Sequence, residues 1–129
     1  MPYKKIALAV IYLWFFIGGI GHFVAPDFFL KIVPPQLHYP LALVYISGFF
    51  ELLGACGLLF LTTRRAAGIG LIALTLAVTP ANVYMWLNPQ LFPRIAETLL
   101  LLRLVLQIIL LWFIWWATRL PESPAAMRK

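Results

Sequence analysis

The sequence predicts an all-α polytopic membrane protein: a bundle of four transmembrane helices with a short interfacial helix between spans one and two. Three observations predict it. Of 129 residues, 64% are hydrophobic and only 11% carry a charge, whereas a soluble domain dresses its surface with about 25% charged residues. The apolar residues gather in four runs, at 6–23, 41–61, 66–87 and 97–117, each close to the ~20 residues that cross ~30 Å of hydrocarbon. Nine of the ten prolines lie outside those runs, and all eight glycines lie inside the first three. Proline breaks helices, and glycine in membrane helices marks close helix approach.

The chain reads as one domain, and its elements follow in order. Lys4 and Lys5 precede the first run. A basic start and an apolar stretch also describe a signal peptide, but the run at 6–23 exceeds a typical apolar signal core and no small-x-small cleavage site follows it. Residues 24–40 break the pattern with Pro26, Pro34, Pro35 and Pro40. Within them, residues 26–33 read as a short helix with proline in its first turn and Asp27 at its positive end. It is too short to span and is expected to lie in the interface. The second span ends at Leu61, and Thr62-Thr63-Arg64-Arg65 is expected to form a tight basic turn. The third span runs to Leu87, where Asn88-Pro89-Gln90-Leu91-Phe92-Pro93 interrupts it. After the fourth span, residues 119–129 read as a disordered polar tail.

The net charge of +6 does not point to nucleic acid, because the basic residues cluster at the ends of apolar runs and not on one face. With both termini cytoplasmic, seven basic residues lie inside: Lys4, Lys5, Arg64, Arg65, Arg119, Arg128 and Lys129. Only Lys31 and Arg94 then lie outside. That asymmetry sets the expected orientation. Trp112, Trp115 and Trp116 then mark the inner interface.

Helical spacing brings polar residues together within the spans. His22 shares a face with Gly18 in the first, and Ser47, Glu51 and Ala55 form a stripe in the second. Thr75, Thr79, Asn82 and Trp86 follow the same spacing in the third, and Arg103 and Gln107 in the fourth. An acid at mid-membrane is expensive and faces a protein interior or a wet cavity. Arg103 is the expected partner of Glu51, with His22 able to approach from above. Pro80, the one proline within a span, frees the Leu76 carbonyl, which Thr75, Thr79 or a water is expected to satisfy. The candidate ligand-binding residues are therefore His22, Ser47, Glu51, Thr79, Asn82, Arg103 and Gln107. The alternative for each is structural, as an ion pair or as interhelical hydrogen-bond glue.

No catalytic residue or metal ligand set stands out. The single cysteine, Cys56, excludes an intrachain disulfide or C-x-x-C pair and reads as a small packing residue. No glycine-rich phosphate loop is present, and Ser47 has no histidine relay on its helix. No resident cofactor is expected. A quinone or a lipid is the candidate occupant of the polar pocket.

Gly21-His22-Phe23 followed by Pro26-Asp27-Phe28, then Tyr45-x-Ser47-Gly48-x-x-Glu51-Leu52-x-Gly54, then Thr79-Pro80-Ala81-Asn82, resemble the motifs of the DoxX-like family of small membrane proteins. The resemblance covers about residues 8 to 87. It implies a four-helix bundle in the bacterial inner membrane, with His22, Glu51, Pro80 and Asn82 as the matching positions. It also implies association with quinol-oxidising or redox-stress membrane complexes, although most members have no assigned activity. Three functions are open: a non-catalytic subunit or assembly factor of a quinone-linked membrane complex, a small-molecule carrier or ligand-binding protein, and a quinone-linked oxidoreductase subunit. The expected partners are the lipid bilayer, another membrane protein and a second copy of the chain.

Overall fold

A computed structural model describes residues 2–119. The expected tail beyond Arg119 lies outside the described residues. Four long helices, α1 (Pro2–Val24), α3 (Pro40–Gly57), α4 (Leu61–Leu87) and α5 (Glu97–Thr118), are each long and apolar enough to cross a membrane. A short helix α2 (Pro26–Leu30) follows α1, and a 3₁₀ turn at Pro89–Leu91 separates α4 from α5. The long helices form a ring: α1 packs on α3, α3 on α4, α4 on α5, and α5 on α1. Lys4 sits 5.8 Å from the Trp116 ring, so the start of α1 and the end of α5 share one end of the bundle. We call this the termini end. The segment joining α1 to α3 lies at the loop end.

Several boundaries differ from the sequence reading. The second span stops at Gly57 and not at Leu61, and the chain turns through Leu58, Leu59 and Phe60. The Thr62–Arg65 segment is not the turn but the first turn of α4. Its side chains cap the helix behind it. Thr63 Oγ1 donates to the Gly57 carbonyl at 2.7 Å, and Arg64 Nε donates to the Leu58 carbonyl at 2.9 Å. Both satisfy carbonyls that a helix end otherwise leaves orphaned. The short helix is also tighter than the expected 26–33. It ends at Leu30 and continues as 3₁₀-type bonds from Ile32 to Phe29 and from Val33 to Leu30. Pro34 explains why the 3₁₀-type bonds end at Val33, because the residue before a proline avoids helical geometry.

The core is split. One apolar cluster at the termini end joins Ile11, Phe15, Ala55, Leu58, Leu71, Ile114 and Ala117. A second, at the loop end, joins Ile32, Met85, Phe92 and Leu100. The outer faces stay apolar and exposed, as at Ile17, Phe49, Phe50 and Ile108, which is the pattern of a lipid-facing surface. Cys56 lies on this exposed side, so it is not the packing residue the sequence suggested.

Glycine sets the tightest crossings. A Cβ on Gly19 would meet the Gly48 carbonyl at 3.1 Å, and one on Gly48 would meet the Gly19 carbonyl at 3.2 Å. Backbone therefore lies on backbone where α1 crosses α3. Gly68 is pressed against the Thr118 side chain, joining α4 to α5.

Candidate functional site

Between the two apolar clusters lies a cavity of about 560 Å³, within the range that holds a drug-sized ligand. Phe15 and Leu110 line it toward the termini end, and Phe29, Ile32 and Leu37 toward the loop end. Its polar wall comes from all four long helices. α1 gives His22, α3 gives Ser47 and Glu51, α4 gives Thr75 and Asn82, and α5 gives Arg103 and Gln107.

Six of the seven residues singled out in the sequence thus meet in one cavity. Thr79 does not. It lies behind Gln107 and lines a shallower hollow with Pro34, Leu76, Pro80 and Tyr84. It still belongs to the polar network. Gln107 Nε2 donates to Thr79 Oγ1 at 2.5 Å, and Thr79 Oγ1 donates to the Thr75 carbonyl at 2.9 Å. Asn82 Nδ2 donates to Gln107 Oε1. This chain fixes both amides and ties α4 to α5. Thr75 Oγ1 donates to the Leu71 carbonyl at 2.7 Å. Neither threonine therefore reaches the Leu76 carbonyl that Pro80 frees. Each prefers the carbonyl four residues before it, the usual partner of a helical threonine.

The expected Glu51–Arg103 ion pair does not form. Among the described residues the ion pair is His22 Nε2 to Glu51 Oε2, at 3.4 Å. The reason is the α1–α3 crossing. Gly19 on Gly48 draws the helices close enough for His22 Nδ1 to donate to the Val44 carbonyl at 2.8 Å. This turns the other ring nitrogen toward Glu51. Phe29 stacks on the imidazole at 4.0 Å between centroids and holds it from above. Gly18 leaves the carboxyl its space, since a Cβ there would touch Oε2 at 3.4 Å. Arg103 lines the same cavity but directs Nη1 to the Met85 sulfur at 3.4 Å.

Glu51 Oε2 is fully buried, and among the described residues its one polar contact is His22 Nε2 at 3.4 Å; the side chain borders the cavity. A carboxyl group at this depth with a single polar neighbour is costly enough to need a cause, and a ligand site is one. Among the described residues no three His, Cys, Asp or Glu side chains come together as a metal donor set.

Sequence spacing missed Phe29, Met85 and the Val44 carbonyl, although it placed Gly18 one turn before His22. The first three act through contacts between helices that spacing within one helix cannot show.

A family model described as "Domain of unknown function (DUF8561)" matches residues 9–120, from α1 to the end of α5. The chain belongs to the DUF8561 family. No curated protein and no solved structure matches it. The DUF8561 match spans every residue of the cavity wall and carries no reference to DoxX-like proteins.

The network makes one prediction here. Gln107→Leu removes the acceptor of the buried Asn82 amide and is expected to lower unfolding stability by about 1–2 kcal/mol. Thr79→Val is expected to cost less, because it leaves the Asn82–Gln107 bond in place. Thermal unfolding of the two variants in detergent checks the order.

Proposed function

We propose that the protein is a non-catalytic multi-pass membrane protein whose Glu51 cavity holds a small lipid-like ligand. One observation carries this reading: a mid-membrane carboxyl group whose one polar contact among the described residues is His22 stands on the wall of a cavity large enough for a ligand. A carboxyl group kept only for helix register gains by satisfying every lone pair inside the protein, and this one does not.

The DoxX-like resemblance extends the proposal. It supports an accessory subunit or assembly factor of a quinone-linked complex in a bacterial inner membrane. Both termini would then be cytoplasmic, α2 would lie in the outer interface, and a membrane-protein partner or a second copy would pack on the exposed faces. A carrier is the second reading. It is favoured by the extension of the cavity wall to Gln36 and Leu37 in the loop-end segment, which would give a ligand access from the outer side.

Glu51→Gln tests the first reading. Native mass spectrometry of the wild-type protein released from membranes is expected to show a bound small molecule. The variant is expected to retain at least about tenfold less of it, the loss that follows from removing one hydrogen-bonding carboxyl group from the cavity wall, at unchanged melting temperature. Equal occupancy together with a lowered melting temperature would instead mark a structural ion pair.

A further inference from the structure

Taking the Glu51 cavity as a ligand site, as proposed above, we infer that its occupant is a single-chain amphiphile with an anionic head. The head seats on Arg103 while His22 and Glu51 keep one proton between them.

Hydrogen-bond chemistry fixes the proton. The Val44 carbonyl only accepts, so His22 Nδ1 carries a hydrogen in the 2.8 Å bond between them. A neutral imidazole then has a bare lone pair on Nε2. That lone pair faces Glu51 Oε2 at 3.4 Å. An ionised carboxylate also only accepts, so the two atoms would repel in a site with little water to screen them. One proton removes the conflict, whichever atom holds it. With that proton present, His22 and Glu51 are together neutral.

Arg103 then sets the charge of the site. The polar side chains that line the cavity from α4 are Thr75 and Asn82, and from α3 Ser47 beside Glu51. None of the three is charged. The cavity therefore has one net positive charge, on a guanidinium whose side-chain contact is a thioether sulfur. Sulfur is a weak acceptor, and a guanidinium offers five donors in a planar fork that matches a carboxylate or a phosphate. An unpaired charge at this depth is costly, and an anionic head removes that cost.

The rest of the wall selects the tail. Phe15, Leu74 and Leu110 on one side and Ile32, Leu37 and Leu43 on the other are apolar. The volume of about 560 Å³ admits a drug-sized molecule and not an entire two-chain lipid. A hydrocarbon chain with a compact acidic head fits both constraints.

The test uses the full chain in phosphatidylcholine nanodiscs, with tritiated palmitate as probe. Hexadecyl phosphate, hexadecanol and hexadecylamine are the competitors. Palmitate is expected to bind saturably, with hexadecanol and hexadecylamine about tenfold weaker or more. Stronger competition by hexadecyl phosphate than by palmitate itself would assign the head to a phosphate, and the reverse order to a fatty acid. Both support an anion. Arg103→Gln is expected to bring palmitate down to the hexadecanol level. Arg103→Lys keeps the charge without the fork and is expected to fall between, so the prediction survives if the glutamine variant does not fold. Competition by hexadecanol equal to that of palmitate overturns the anionic head and leaves the cavity as a ligand site. Absence of any saturable binding, with Glu51→Gln indistinguishable from wild type, overturns both.

Discussion

Gly48→Ala is expected to destabilise the purified protein by about 1–3 kcal/mol, the usual cost of overpacking a tight contact, and to abolish ligand retention. The added Cβ would stand 2.6 Å from His22 Cβ, 3.1 Å from the Phe23 ring and 3.2 Å from the Gly19 carbonyl. None of these neighbours is the free end of a flexible side chain, so α1 and α3 must move apart. Movement there pulls His22 off the Val44 carbonyl and away from Glu51, which removes the contacts that orient the imidazole. Gly70→Ala is the matched control. A Cβ at Gly70 meets nothing within 4 Å, so the change is expected to be neutral or to stabilise by up to ~1 kcal/mol through helix propensity. Thermal unfolding of both variants in the same detergent checks the difference. Equal melting temperatures would mean that the crossing is looser than backbone against backbone.

The same crossing explains what the sequence could and could not disclose. Hydropathy locates four helices because each must cover its own length with apolar side chains, and α5 lies within one residue of its expected bounds. The Leu58–Phe60 turn escaped because its residues are as apolar as the helices beside it. The signal for it was Gly57 with the capping Thr63 and Arg64, read instead as the turn itself. Spacing also gathered His22, Glu51, Asn82, Arg103 and Gln107, since each sits on the inward face of its own helix. Which of them pair is decided between helices. Charge alone favoured Arg103 for Glu51. The choice of His22 instead depends on two glycines that let α1 approach α3, on the Val44 carbonyl and on the Phe29 ring. These are relations of depth and rotation that no single-helix period contains.

His22→Leu is expected to cost about 3 kcal/mol, the scale for removing one partner of a buried ion pair, because it leaves Glu51 in the bundle with no counterpart within 4 Å. Glu51→Leu alone is expected to cost less, since a neutral imidazole keeps its bond to Val44 and its stack on Phe29. The informative variant combines them. Replacing a buried pair by apolar residues of similar volume is often neutral, so His22→Leu/Glu51→Leu is expected to recover most of the stability lost in His22→Leu. A pair that the fold can do without, yet that is held by a shared carbonyl, an aromatic stack and a glycine crossing, needs another reason to be there. Ligand retention supplies the comparison: the double variant should melt close to the wild type and retain at least about tenfold less ligand. A double variant as unstable as the two single changes added together would place the pair in the framework of the bundle, with its cost borne for register.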